Sequence, residues 1–340
     1  SIMAISISLH QQSWPLAQPF RISRGVKSHA QTIIVTISDG EFQGIGEAVP
    51  YARYGETCAS VAAQIEALGC EFSSQAALQH AISELKAGAA RNALDCALWD
   101  FNAKSQSQSV SKMLKIPLRP LTTAQTISLD STQNMAIAAK ALANAPLIKV
   151  KLDADSVLDK MKAIHVAAPH SKFIVDANEA WNFDLLKAVL PTLKQYNVAL
   201  IEQPLPAGND QALTQLTPCV PICADESCHT RHQLAELKNR YQAINIKLDK
   251  TGGLTEALAL LNEAKQHGFI IMTGCMVASS LAMAPAFLIA QHADFVDLDG
   301  PLLLSSDIVC GFEFHGTQMS QPTPFIWGEA KAHSSKIAGL

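Results

Sequence analysis

The chain has 340 residues, 48% of them hydrophobic and 16% charged, with a formal net charge of -4. That much apolar content buries a large core and excludes a disordered chain. The slight acidity offers no electrostatic footprint for nucleic acid. No basic region opens SIMAISISLHQQ, so no secretory signal is expected and the protein is expected in the cytoplasm.

In chain order, AISISL and QTIIVTIS alternate with the period of strands, and DGEFQGIGEA reads as a hairpin turn with glycine at the bend. From 57 to 109 the period changes. SVAAQIEAL and AARNALDCALWDFNAK are helical, with Ala90, Ala93, Leu94, Ala97 and Leu98 on one stripe. An α+β domain is thus expected over residues 1–120. A polar stretch with two prolines, SQSQSVSKMLKIPLRPLT, ends it near Pro120.

Beyond that boundary, residues suited to catalysis or metal binding recur after short apolar runs: Lys151, Asp176, Glu202, Asp225, Lys247, Gly274 and Asp297, at steps of 25, 26, 23, 22, 27 and 23 residues. SVLDKMKAIHVAA, FDLLKAVLPTLKQY, RHQLAELKNR and TEALALLNEAKQH supply helical candidates between them. A short apolar run followed by an amphipathic stretch is a buried parallel strand and its crossover helix. A further strand around 123–130 brings the count to a (β/α)8 barrel over residues 121–304, whose C-terminal strand ends converge on one rim. The chain exceeds the roughly 250 residues of a plain barrel, in keeping with a second domain. The segment from about 305 to 340 is expected to return and complete the first domain.

Residues 269–290 carry no charge over a nominally membrane-spanning length. Gly274, Ser279, Ser280 and Pro285 instead divide the stretch into strand, turn and helix, so no membrane span is expected. The eight cysteines lack disulfide-framework spacing and read as reduced, buried small residues. Cys219, Cys223 and Cys228 form a cluster without a CxxC pair, which argues against zinc.

Residues two apart on a strand face one side, so Lys149 and Lys151 share a face, as do Asn245, Lys247 and Asp249. Lysine is almost never fully buried unpaired. Asp176, Glu202 and Asp225 end consecutive strands, and three converging carboxylates repel unless a cation lies between them. Magnesium suits such an all-oxygen set, and manganese is the alternative. His267 and His292 read as helix or loop residues. Phe20, Tyr51 and Tyr54 either close over a substrate or pack between domains.

In order and spacing, KVK, VDANEAW, IEQPL, ADES and IKLDKTGG resemble the enolase superfamily, in particular its muconate lactonising subgroup. PYARYGET, AARNALDCALWD, GCMVASSLAMAPA and DLDGP resemble the dipeptide epimerases within it. The resemblance implies a barrel with an N-terminal capping domain, and Asp176, Glu202 and Asp225 as metal ligands. It implies Lys151 and Lys247 as an acid and base pair on opposite faces of the substrate, inverting an α-carbon through an enediolate. Lys149 would help lower a lysine pKa. Asp297 and Asp299 would bind a free ammonium, and Arg24 the second-residue carboxylate of an L-Ala-Glu dipeptide. The implied activity is epimerisation at the C-terminal residue, in murein peptide metabolism, by a possible homo-oligomer. The alternatives are an o-succinylbenzoate synthase or a cycloisomerase.

Overall fold

The computed structural model describes residues 4–22, 25–321 and 326–331. An antiparallel sheet opens the chain. Ile5–Ile22 pairs with Gly25–Ser38, which pairs with Gln43–Ala48, and the short Glu71–Phe72 adds to the other side of the first strand. The first strand is 18 residues long, far beyond AISISL, and runs through Pro15. Beyond Ser6, among the described residues, its edge carries no further strand but only the bridge of Leu16 to Leu304, so a proline without an N–H is tolerated, and the register slips between Pro15 and Phe20.

Helices Cys58–Glu66, Gln75–Ser83 and Ala89–Ser105 cover this sheet around Ile33, Val35, Ile37, Ala93, Leu94 and Ala97. The glycines of QGIGEA serve this packing rather than the bend. A side chain at Gly44 or Gly46 would strike the backbone of Ala97 or Ala93 on the long helix. Gly40, with φ of 91°, makes the turn.

Eight parallel strands follow in sequence order: Gln125–Ile127, Leu147–Lys151, Lys172–Asp176, Val198–Glu202, Ile222–Ala224, Ala243–Ile246, Ile270–Thr273 and Phe295–Val296. The N–H of Ala124 donates to the carbonyl of Val296 at 2.8 Å and joins the first strand to the last. Ile174, Leu200, Cys223, Ala243 and Met272 fill the interior, while Ile148, Val150, Val175 and Ile201 face the surrounding helices.

The outer ring is irregular. A 3-10 turn, Gln211–Gln215, takes the place of a helix after the fourth strand, and RHQLAELKNR yields only a 3-10 turn and the single turn Leu234–Leu237. The uncharged 269–290 stretch is strand Ile270–Thr273 and helix Ser280–Ala290, and among the described residues no helix is long and apolar enough to cross a membrane.

After the last barrel strand, Glu313–His315 pairs with Gln318–Ser320, which in turn pairs with Leu121–Thr122. The chain then returns to the long first-domain helix, where Trp327 Nε1 donates to Cys96 O at 3.0 Å and Gly328 N to Asp100 Oδ1 at 2.7 Å. All eight cysteines are free, but burial is mixed: Cys96, Cys223 and Cys228 are buried, whereas Cys70 and Cys219 are exposed.

Candidate metal centre and lysine pair

At the C-terminal rim, Asp176 and Glu202 are the last residues of the third and fourth strands, and Asp225 directly follows the fifth. Each offers an oxygen within 4.8 Å of the others, and all three are buried. Asn245 Nδ2 donates to Glu202 Oε2 at 3.1 Å and Asn178 N to Asp176 Oδ1 at 3.0 Å. Among the described residues no hydrogen-bond donor reaches Glu202 Oε1 or Asp225 Oδ1. Burial with the nearby Asp176 lifts the Glu202 carboxyl well above the ordinary range. Burial pushes Asp225 the same way, but Lys247 and Lys250 outweigh it and hold that carboxyl well below. Three buried carboxylates, two of them with an oxygen that accepts no hydrogen bond, fit a divalent cation. Cys219, Cys223 and Cys228 form no such group among the described residues.

Cations surround the trio. Lys149 Nζ lies 3.4 Å from Asp176, 3.3 Å from Glu202 and 3.0 Å from Asp297. Lys247 Nζ lies 2.9 Å from Asp225 Oδ2. Lys250 sits 2.8 Å from Asp225 Oδ1, but its N–H groups point to the carbonyls of Asp225, Cys228 and Asn245, so that contact is electrostatic. Burial alone would lower Lys149 and Lys247. The carboxylates win, Asp297 foremost for Lys149 and Asp225 for Lys247, and both ammonium groups lie well above the usual lysine value. Lys149 pushes Lys247 down, in the expected direction, but less than Asp225 lifts it.

Lys151 ends the second strand, in register with Asp176, and is exposed; Lys247 follows the sixth strand and is buried. Strands two and six stand four places apart either way around a ring of eight. The two amines thus rise from opposite sides of the mouth, with the acidic trio on the arc between them.

Asp297 and Asp299 follow the eighth strand, both buried. Asp297 Oδ2 accepts from Lys149 Nζ while its Oδ1 has no donor among the described residues, and Asp299 Oδ2 accepts from Thr126 N at 3.0 Å. Burial, with Asp297 adding to it, pushes the Asp299 carboxyl up to about 7. Arg24 and the Phe20 side chain lie outside the described residues. His267 and His292 are exposed and precede strands seven and eight, at the opposite end of the barrel from the mouth.

Composition and spacing alone do not single out Arg53, Glu179, Glu226 and His229 at the rim. The turn Ala52–Tyr54 brings Arg53 into a two-pronged pair with Glu179, at 2.8 and 2.7 Å, and sets the Tyr54 ring edge-on to His229 with centroids 4.4 Å apart. Burial lowers His229 to about 4 and, with Asp225, pushes Glu226 up to about 8. The available signal was the position of Arg53 inside PYARYGET, of Glu179 inside VDANEAW and of Glu226 inside ADES, while His229 lies two residues beyond ADES.

Residues 4–114 match the N-terminal domain of mandelate racemase / muconate lactonizing enzyme, and residues 134–308 match the enolase C-terminal domain-like family. The chain belongs to the mandelate racemase and muconate lactonizing group of the enolase superfamily. Among its relatives, an N-acetyl-D-glutamate racemase from Pseudoalteromonas sp. is 50% identical over 306 residues, covering 89% of this chain and 96% of the relative. The L-Ala-D/L-Glu epimerase of Escherichia coli (strain K12) is 45% identical over 312 residues, covering 91% and 97%. A crystal structure of an enolase family member from Agrobacterium tumefaciens with homology to dipeptide epimerases, with bound sodium and L-Ala-L-Glu, superimposes with a TM-score of 0.87 at 45% identity, covering 95% of this chain and 100% of that one.

Proposed function

We propose that this protein is a metal-dependent dipeptide epimerase, an isomerase that inverts the α-carbon of the C-terminal residue in L-Ala-Glu-type dipeptides. The observation that carries the reading is the placement of Lys151 and Lys247 across the barrel mouth with three carboxylates between them. Removing a proton from one face and returning one to the other inverts a centre, which a single base cannot do.

In this reading Asp176, Glu202 and Asp225 hold the cation, magnesium with manganese as the alternative. A bound divalent cation would offset the carboxylate charge that raises Lys247 and stabilise negative charge on the substrate carboxylate as the α-proton leaves. Lys151 and Lys247 exchange the proton at the α-carbon. Lys149 stays charged beside Asp297 and faces the carboxylate end. Asp297 and Asp299 receive the free ammonium, with one orphaned oxygen on Asp297 in support. Arg24 takes the glutamate side chain through its planar fork.

Residues 1–120, completed by about 305–340, would form the cap over a barrel of 121–304. The contacts of Trp327 and Gly328 with the long first-domain helix support that division. A cytoplasmic location, which eight unpaired cysteines support, and a role with murein-derived dipeptides belong to the same proposal.

A second reading, racemisation of N-acetylglutamate, is favoured by the 50% identical relative. It shares the glutamate α-carbon but has no ammonium for Asp297 and Asp299. Incubation with Mg2+ in deuterated water, with L-Ala-L-Glu and N-acetyl-L-glutamate in parallel and a chelated control, tests both. Deuterium at the glutamate α-carbon with inversion of the dipeptide is expected. Turnover of the acetylated amino acid alone would favour the second reading, and inversion that persists after chelation would refute the metal dependence.

A further inference from the structure

Gln203 is fully buried directly after Glu202, and its φ of 38° is unusual for a residue with a side chain. Such backbone strain persists only where the surroundings over-determine it. Here they do. The N–H of Gln203 donates to Cys223 O at 2.8 Å, and its carbonyl accepts from Glu179 N at 2.8 Å. Its side-chain Oε1 accepts from Asp225 N at 2.9 Å and Ser227 N at 3.1 Å. Its Nε2 lies 2.8 Å from Leu205 O, 2.9 Å from Ser227 Oγ and 3.0 Å from Tyr241 OH.

Both hydroxyls in turn donate to Asp210 Oδ2, Ser227 at 2.7 Å and Tyr241 at 2.5 Å, and Arg240 closes the far end on Asp210 Oδ1 at 2.9 Å. One residue thus binds the segments that follow the third, fourth and fifth strands, the three that carry Asp176, Glu202 and Asp225. Only an amide satisfies this site. Two backbone N–H groups require an acceptor at one end of the side chain, and the Leu205 carbonyl requires a donor at the other.

We infer that Gln203 is a positioning residue of the metal centre, holding Asp225 in place relative to Glu202 so that the three carboxylates meet one cation. The inference rests on the metal reading above. Groups that orient metal ligands change cation affinity by about 10–100-fold when replaced.

The test is direct binding of Mn2+, read from the spin-resonance signal of the free ion, with no substrate present. Gln203→Glu, which loses the donor toward Leu205, and Gln203→Met, which loses every side-chain bond, should each bind Mn2+ about 10–100-fold more weakly. Arg240→Met perturbs the far end of the same network and should stay within about threefold of wild type. Activity of the Gln203 variants should recover in part at high Mn2+, which separates lost cation affinity from lost chemistry.

Folded Gln203 variants that bind Mn2+ like wild type overturn the inference. So does an Arg240→Met variant weakened as much as they are, since general loosening then explains the loss. If neither Gln203 variant folds, Ser227→Ala decides, because it removes one acceptor from the amide but no bond to Asp225: weaker binding supports the role and unchanged binding overturns it. Wild-type protein that binds no Mn2+ overturns the metal reading and this inference together.

Discussion

Asp249 offers a test of how the barrel and the first domain are joined. Its Oδ1 accepts from Val49 N and from Asn92 Nδ2, both at 2.9 Å, so a barrel carboxyl two residues past Lys247 caps two donors of the other domain. Burial pushes this carboxyl from 3.8 up to about 7. The folded protein therefore keeps the proton between about pH 4 and pH 7, where the unfolded chain has released it. Because the folded state binds more protons in that window, stability falls as pH rises through it.

Asp249→Asn keeps the acceptor for both donors and removes the ionisation. At 1.36 kcal/mol per pH unit, its advantage over wild type is about 2 kcal/mol at pH 5 and about 4 kcal/mol at pH 8. An unfolding entropy of roughly 2.1 cal/mol/K per residue turns the difference between the two pH values into about 3 °C in Tm. Calorimetry of both proteins at pH 5 and pH 8 measures it. An advantage equal at the two pH values, or an Asn variant less stable than wild type at pH 8, would refute the reasoning.

Lys151→Ala and Lys247→Ala should each reduce inversion by about 10²–10⁴-fold, while each variant still exchanges the α-hydrogen of one enantiomer with deuterated water; the exchanging enantiomer should differ between the two. Asp297→Asn should lower kcat/KM for L-Ala-L-Glu more than for N-acetylglutamate, by about tenfold if the lost contact is a charge-assisted hydrogen bond; equal losses would remove it from ammonium binding. Arg53→Met breaks a half-exposed pair worth about 1 kcal/mol or less to stability, so Tm should hardly move while KM rises as the Ala52–Tyr54 turn loses its anchor on Glu179; an unchanged KM would mark the pair as surface ornament. Arg24→Met should weaken use of dipeptides ending in glutamate, and an unchanged substrate profile would exclude Arg24 from specificity.

The recurring apolar runs made the barrel legible because each parallel strand is buried on both faces and must be written as a short hydrophobic block. Lys151, Asp176 and Glu202 end their strands as the spacing predicts, and Asp225, Lys247 and Asp297 fall one residue beyond theirs. The outer ring was less legible. The connection after Glu202 is too irregular for a periodic pattern, and RHQLAELKNR has helical periodicity but folds as little more than two turns. The 18-residue first strand is not legible because its prolines read locally as breaks, and only a sheet edge with no full neighbouring strand excuses them.

The amino-acid order alone determined which side chains stand at the barrel rim, since strand period and one unit per step leave little freedom in where a charged residue after an apolar run can go. The closed ring decided that the second and sixth strands oppose one another, because that depends on how all eight strands pair rather than on any one of them. Three-dimensional packing also decided the balance of charge. Whether Lys247 is pulled down by burial or lifted by Asp225 depends on distances between residues 22 positions apart in sequence, and no local pattern encodes such a distance.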